Sequence, residues 1–299
     1  PNYENAHNNL GVIFKNLGEI QKAKNCYEKV IAINPNYANA RNNLGNIFNR
    51  LGEIQKARDC YEKAIEINPN FAEAYNNLGG VFKELKKKQK AKECYEKAIE
   101  INPNFADAHN NLGRIFFELQ EYQKAINSYV KAIELKPNYQ VALINKGLVL
   151  FLKGEFELSL IDFDKCNTFN SRSWALKSLY ALGRIDEIYK RIEENSQLDE
   201  KNISVAAFSS FIAYKEKKST THNFCPNPID FIHHSNLSSH LLNFNSFITE
   251  IIKELHNVNT IWEPSGKTTI KGFQSKSNLF TKPQKKIQNL KSIIITEIE

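Results

Sequence analysis

Residues 74–105 read AYNNLGGVFKELKKKQKAKECYEKAIEINPNF, and they nearly copy residues 40–71, which read ARNNLGNIFNRLGEIQKARDCYEKAIEINPNF. The same pattern recurs before and after these two copies. A proline closes each copy, and successive prolines lie 34 residues apart: Pro35, Pro69, Pro103 and Pro137. A fixed period of this length predicts a stack of similar structural units, each packed on its neighbours, in place of one globular core.

Small and large residues hold fixed places inside each copy. A Leu-Gly dipeptide ends at Gly11, Gly45, Gly79 and Gly113. An alanine recurs at Ala23, Ala57, Ala91 and Ala125, and a tyrosine recurs at Tyr27, Tyr61, Tyr95 and Tyr129. Glycine and alanine let two antiparallel helices approach closely, while the large residues fill the groove between them. The closing proline ends the second helix because it cannot donate the next backbone hydrogen bond. Each copy is therefore predicted to be a helix–turn–helix unit.

A 34-residue helix–turn–helix unit with these residues resembles the tetratricopeptide repeat, over residues 1–139. The resemblance implies an all-α superhelical solenoid of tetratricopeptide repeats, followed here by a smaller partial α+β segment. We expect about five to six repeats in residues 1–195, with the last ones degenerate, because terminal repeats are atypical. Residues 140–173 are expected to form the fifth repeat, and residues 196–222 a capping helix, over 203–217, and a linker.

Composition excludes several classes of protein. The 299 residues carry a formal net charge of +7, but both signs are interspersed and no Lys/Arg block marks a nucleic-acid arm. No apolar run approaches the roughly 20 residues of a membrane helix. We therefore expect no nucleic-acid partner and no membrane partner. The chain has no Met, even at residue 1, which suggests a piece of a longer gene product. Pro1-Asn2-Tyr3 matches the end of a repeat, so we expect further repeats before it.

Asparagines in the first helices are the candidate binding residues. One asparagine precedes each Leu-Gly dipeptide or its equivalent: Asn9, Asn43, Asn77, Asn111 and Asn145. A second asparagine precedes four of these: Asn8, Asn42, Asn76 and Asn110. An amide offers a donor and an acceptor, which suits the backbone of an extended peptide. The pattern resembles the asparagine ladder of the O-linked N-acetylglucosamine transferase repeats, which implies a polypeptide partner in a concave groove lined by the first helices. The alternative is that these asparagines are simply solvated.

Other ligand chemistries are less favoured in the repeats. Some tetratricopeptide domains clamp a carboxylate with Lys and Arg, but the positions of Asn8 and its equivalents are neutral here. Cys26, Cys60 and Cys94 recur at the repeat period without any C-x-x-C spacing, so we interpret them as small, semi-buried helix residues in a reducing cytoplasm. No metal site is predicted.

The C-terminal third shows a second resemblance. The segment NPIDFI at 227–232, WEPSGKTTIKGFQS at 262–275 and SNLF at 277–280 resemble the start of a 2-oxoglutarate- and Fe(II)-dependent oxygenase domain, here expected over 223–299. The residues that carry this resemblance are Trp262, Pro264, Lys267, Thr268, Gly272, Gln274, Ser275, Asn278, Leu279 and Phe280. The local patterns predict helices over 244–258 and 283–297 and a strand or hairpin over 268–280.

The iron chemistry of such an oxygenase is not expected in this chain. That chemistry needs two histidines and a carboxylate on one face. His222, His233, His234, His240 and His256 lack an acidic residue two positions later, and no Arg follows Arg191 to bind the cosubstrate. We therefore predict no catalytic residues here, and Fe(II) and 2-oxoglutarate only in a longer parent protein.

The sequence therefore predicts a protein–protein interaction module with a peptide-binding groove, which in its parent recruits a substrate to an oxygenase-like domain. Two alternatives stay open. The repeats could serve a glycosyltransferase similar to the O-linked N-acetylglucosamine transferase, or the chain could be a plain scaffold.

Overall fold

The structure, a computed structural model, describes residues 3–217, 260–262 and 273–275. Thirteen helices occupy residues 3–217: α1 Tyr3–Asn16, α2 Ile20–Ile33, α3 Ala38–Arg50, α4 Ile54–Ile67, α5 Ala72–Glu84, α6 Lys88–Ile101, α7 Ala106–Glu118, α8 Tyr122–Leu135, α9 Gln140–Leu152, α10 Phe156–Cys166, α11 Phe169–Ala181, α12 Ile185–Glu194 and α13 Ile203–Lys215. The predicted all-α solenoid is confirmed. None of these helices is long and apolar enough to cross a membrane.

In each of the first five helix pairs, a glycine of the first helix lies against an aromatic ring of the second helix. The tyrosines of α2, α4, α6 and α8 are at most 1% exposed, and each ring lies against the glycine of the Leu-Gly dipeptide in the preceding helix. In the fifth pair Phe163 takes the place of tyrosine against Gly147. The recurring alanines Ala23, Ala57, Ala91 and Ala125 are fully buried, and so is Ser159 at the equivalent position of the fifth pair. The two helices of each pair therefore approach each other as closely as the recurring glycines and alanines predict.

The turn inside each pair needs a left-handed residue. Gly18 and Gly52 supply it with φ angles of 79° and 76°. Lys86 and Gln120 adopt the same conformation in the next two repeats, at 58° and 62°. Left-handed backbone costs a residue with a side chain roughly 1–2 kcal/mol. The turn geometry is thus kept by the packing of the two helices even where glycine is absent.

The fifth repeat is shorter than the 34 residues predicted for 140–173, because α11 already begins at Phe169. Helix α10 has 11 residues, whereas α8 has 14. Asn167 adopts the left-handed conformation after α10, and the Thr168 hydroxyl then accepts a hydrogen bond from the Ser171 backbone nitrogen at 3.2 Å. This capping box starts α11 five residues before the period would.

The last helices close the stack with a core of their own. Ile188, Val205 and Ile212 are fully buried and pack with residues of α10 and α11. Helix α13 confirms the helix predicted over 203–217, although it ends at Lys215 instead of residue 217. Arg172, at the start of α11, bonds to Asp199 in the segment between α12 and α13, which fixes that segment against the stack.

Residues 260–262 and 273–275 form two short strands, β1 (Thr260–Trp262) and β2 (Phe273–Ser275), which pair antiparallel. Strand β2 confirms a strand within 268–280. The helices predicted over 244–258 and 283–297, and the segment at 227–232, lie outside the described residues. The chain divides into two compact units, Pro1–Asn227 and Pro228–Glu299.

Candidate peptide-binding site

The predicted asparagines lie on the first helices of the repeats and bond to one another across repeat boundaries. We call Asn9, Asn43, Asn77, Asn111 and Asn145 the asparagine ladder. Four ladder residues donate to the asparagine 35 positions earlier, in the preceding repeat. The bonds run from Asn43 Nδ2 to Asn8 Oδ1 (3.2 Å), from Asn77 to Asn42 (2.9 Å), from Asn111 to Asn76 (2.9 Å) and from Asn145 to Asn110 (3.1 Å).

The second predicted set therefore has an internal role in the stack. Asn8, Asn42, Asn76 and Asn110 accept these bonds, and we call them the acceptor asparagines. Asn42 and Asn110 are only 6% and 3% exposed. A buried amide needs a hydrogen-bond partner, because leaving one without a partner costs about 1–3 kcal/mol. The acceptor asparagines thus orient the ladder, and any contact they make with a partner stays a prediction.

The ladder residues keep polar capacity for a partner. Asn43, Asn77, Asn111 and Asn145 are half-buried, and Asn9 is exposed on the first described helix. A side-chain amide has two N–H donors and an acceptor oxygen. The bond to the acceptor asparagine uses one N–H, so a second N–H and the Oδ1 of Asn43, Asn111 and Asn145 remain for a ligand. Asn77 also donates to Asn46 and keeps only its Oδ1. The arrangement can bind another amide, such as a peptide backbone group.

One repeat carries an additional amide that the periodic analysis missed. Asn46 Oδ1 accepts from Asn77 Nδ2 at 3.1 Å and from the Tyr61 hydroxyl at 2.8 Å. Val12 stands at the equivalent position one repeat earlier, and the Tyr27 hydroxyl there is buried without a partner among the described residues. Burial raises the pKa of Tyr27 to about 12. The signal for this difference is the Val12-to-Asn46 change between otherwise similar repeats.

A pocket opens next to the ladder between α7 and α9. We call it the α7–α9 pocket. It has a volume of about 250 Å³ and is lined by Arg114, Phe117, Glu118, Tyr129, Asn145 and Leu148. Asn145 is a ladder residue, so the pocket adjoins the candidate backbone-binding surface. Sequence reasoning missed it, because no repeat motif marks Arg114 or Leu148.

Helix α9 adds an apolar stripe beside the same pocket. Val141, Leu148 and Leu152 lie with Asn145 at spacings of three or four residues, which places all four on one helix face. Val141 is 50% exposed and Leu152 is 58% exposed. In the three preceding repeats the position of Leu152 is charged, with Arg50, Glu84 and Glu118. The surface that continues the ladder therefore changes from polar to apolar at α9.

The four cysteines in the described helices do not contribute a reactive site. Cys26, Cys60, Cys94 and Cys166 are free thiols. Burial raises the pKa of Cys60 to about 11 and that of Cys94 to about 12. Thiols with such pKa values are protonated at neutral pH and are poor nucleophiles. The interpretation of Cys60 and Cys94 as semi-buried helix residues is confirmed. Within residues 3–217 and the two strands, no group of three or more His, Cys, Asp or Glu side chains could hold a metal ion.

Comparison with known families identifies the repeats. Models described as tetratricopeptide repeat match residues 4–37, 26–59, 72–105 and 106–139, and a model described as TPR repeat matches residues 45–86. Residues 4–139 therefore consist of tetratricopeptide repeats, and they form a protein–protein interaction module. No curated protein sequence matches the chain.

Solved structures that match the chain include PilF of Pseudomonas aeruginosa, PilW and YrrB. PilF is 20% identical, with a TM-score of 0.61, over 69% of this chain and 96% of its own. PilW, a type IV pilus biogenesis factor, is 17% identical, with a TM-score of 0.62, over 70% of this chain and 99% of its own. YrrB, a TPR protein with an unusual peptide-binding site, is 22% identical, with a TM-score of 0.46, over 61% of this chain and 94% of its own. The likeness to PilF and PilW shows the fold alone.

Proposed function

We propose that the repeats bind an extended polypeptide segment along their first helices, with the asparagine ladder holding the peptide backbone. The observation that carries this proposal is the set of bonds from the ladder to the acceptor asparagines. Each bond fixes an amide that is still half-exposed, so its remaining polar atoms have defined directions. Groups fixed before binding lose less conformational entropy when the ligand arrives.

The spacing of the first helices suits an extended chain. Helix α3 contacts α5, α5 contacts α7 and α7 contacts α9, so these helices lie side by side. Packed helices have axes about 8–10 Å apart. An extended chain rises about 3.3 Å per residue. One ladder amide would therefore meet about every third peptide residue, which leaves the side chains between them available for selection.

We expect the double substitution Asn77→Ala and Asn111→Ala to weaken peptide binding by about 5- to 150-fold. The two lost amide contacts contribute about 0.5–1.5 kcal/mol each. The probes would be peptides enriched on the full 299-residue chain from a random 12-residue display library, and fluorescence anisotropy would give their dissociation constants. N-methylation of single peptide amides should identify the backbone groups that the ladder holds.

The matched control is the double substitution Asn25→Ala and Asn127→Ala. These exposed asparagines lie on the second helices α2 and α8, where they bond only to glutamines of the same helix. Their loss should leave the affinity unchanged, and circular dichroism should show equal helicity in all chains. Equal affinity of the ladder variant and the wild-type chain, with helicity intact, would contradict a backbone-holding ladder.

We also propose that the repeats recruit a polypeptide substrate to a 2-oxoglutarate- and Fe(II)-dependent oxygenase-like domain that begins in residues 223–299. One observation favours this: β1 and β2 pair Trp262 with Phe273 and Ile261 with Gln274. The pairing brings together two parts of the segment on which the resemblance rests. The described residues do not fit an iron site, so no step of iron chemistry is assigned to them.

The recruitment proposal predicts turnover only in a longer protein. We would express the chain with any coding sequence that follows residue 299 and supply Fe(II) and labelled 2-oxoglutarate. Release of labelled succinate is expected, together with its loss when a downstream His-x-Asp motif is changed. A protein without that motif and without succinate release would leave the repeats as a scaffold. A cytoplasmic location, expected from the unpaired cysteines, likewise stays a proposal.

A further inference from the structure

We propose that the α7–α9 pocket selects, within the bound polypeptide, a large apolar side chain that lies close in sequence to an acidic one. This inference rests on the proposed function, because it assigns a side-chain preference to one end of the same surface. It names a partner chemistry, namely an internal acidic–apolar peptide segment, that no repeat motif indicates.

The size of the pocket fits one side chain. Its volume of about 250 Å³ lies below the roughly 300–1,000 Å³ of typical small-molecule sites. Phe117 and Leu148 supply apolar lining from two neighbouring repeats, while Asn145 offers an amide beside them. A peptide whose backbone meets Asn145 would thus place a neighbouring side chain against an apolar surface.

The charge at the pocket is set by Arg114. In the described residues, no hydrogen bond or ion pair joins the Arg114 guanidinium to a protein group. The other charged lining residue, Glu118, is engaged by Lys88, whose Nζ lies 3.4 Å from Glu118 Oε2 and donates to the Glu118 carbonyl oxygen at 3.0 Å. Burial, and then the nearby Arg114 guanidinium, lower the pKa of Lys83. A carboxylate of a ligand is the group that this arrangement favours.

Continuity with the ladder indicates a polypeptide as the occupant. Arg114 lies one helical turn after Asn111 on α7, and Leu148 lies one turn after Asn145 on α9. The apolar stripe of Val141, Leu148 and Leu152 continues on both sides of Asn145. A ligand that uses all these groups must present backbone amides, an acidic group and apolar side chains along one line. An extended peptide does so.

The test compares peptide selection on the wild-type chain and on Arg114→Glu, with the random 12-residue library as the probe. The wild-type chain should enrich Asp or Glu within about three residues of Leu, Ile, Phe or Trp. On Arg114→Glu the preference for an acidic residue should change to a preference for Lys or Arg, because the charge at the pocket is reversed. Arg114 is exposed, so the substitution should leave the fold intact. Lys165→Glu, an equal charge reversal at an exposed position on α10, should not alter the preference.

Affinity measurements with single peptides sharpen the comparison. An enriched peptide should bind Arg114→Glu about tenfold or more weakly, since a hydrogen bond to a charged group is lost and a like charge is introduced. The same peptide with its acidic residue changed to Lys should regain affinity on that variant. Replacing the apolar peptide residue with Ala should weaken binding to both chains.

The outcomes separate this inference from the backbone-holding ladder. If Asn77→Ala with Asn111→Ala loses binding while Arg114→Glu keeps the wild-type preference, the ladder stands and the pocket assignment is wrong. If Arg114→Glu changes the preference while the ladder variant binds normally, side-chain selection by the pocket is supported and the backbone-holding role of the ladder is wrong. If the wild-type chain enriches no peptide, or enriches peptides without acidic and apolar residues, the inference is overturned.

Discussion

Gly79→Ala should lower the free energy of unfolding by about 2–3 kcal/mol, because it overpacks the contact between α5 and α6. A Cβ atom at Gly79 would lie 2.7 Å from Cε1 and 2.9 Å from Cδ1 of the Tyr95 ring. Tyr95 is 1% exposed, so the ring has no free space into which it can move. The two helices must separate to accept the methyl group. Urea denaturation of the full chain, followed by circular dichroism, measures the effect.

The adjacent glycine provides a matched control. A Cβ at Gly80 would have no atom within 4 Å, and the residue lies inside the same helix. Gly80→Ala should therefore raise the free energy of unfolding by about 0.5–1 kcal/mol, because alanine loses less backbone entropy than glycine in a helix. Effects of the same sign at the two positions would show that the Tyr95 ring does not determine the helix approach.

Arg172→Met should have the second large effect, a loss of about 2–4 kcal/mol in the C-terminal part of the stack, since it leaves a buried carboxylate without its main cation. The side chains of Arg172 and Asp199 are 14% and 5% exposed, and the Arg172 Nη2 atom lies 2.7 Å from Asp199 Oδ1. Arg172 also donates to the Asn167 and Leu198 carbonyl oxygens, both at 3.1 Å. Hydrogen exchange read by mass spectrometry should show the loss of protection in residues 169–215.

Arg184→Met is the control for that substitution. Arg184 pairs with Glu157 and Glu187, but its side chain is 42% exposed. Exposed ion pairs contribute about 0–1 kcal/mol, so exchange in residues 169–215 should change little. Equal exchange in both variants would mean that the Arg172–Asp199 pair does not fix the segment before α13. In either variant, α5 and α6 should keep their protection, because repeats depend mainly on their neighbours.

The sequence period predicts the helix pairs well because their contacts recur in every copy. Gly79 and Tyr95, for example, occupy positions whose residue types repeat in four successive units. The fifth repeat breaks the period for a local reason. Ser171 stands where the earlier repeats have proline, and with Thr168 it forms the capping box that starts α11 early. The sequence T-x-x-S at 168–171 is consistent with a helix start, but the 34-residue period predicts a later start for α11.

The partners of the ladder residues were harder to predict. A period of 34 indicates that Asn77 and Asn111 lie on equivalent faces, but the acceptor of each amide is the residue 35 positions earlier. This difference of one residue from the period depends on the rotation between neighbouring repeats, which the period of the sequence does not determine. The α7–α9 pocket was missed for the opposite reason. Arg114 and Leu148 occupy equivalent positions of successive repeats, and the residue type at this position differs in every repeat, so no periodic pattern marks it.

The bonds between ladder and acceptor asparagines also affect how such a chain can change in length. Every bond has its donor in the later repeat and its acceptor in the earlier one. A unit that carries both asparagines therefore brings an acceptor for the repeat after it and a donor for the repeat before it. Tandem duplication or deletion of one such unit leaves no unpaired amide at the new junction. The binding surface can thus be lengthened or shortened by whole helix pairs, and the partner segment with it by about three residues each time.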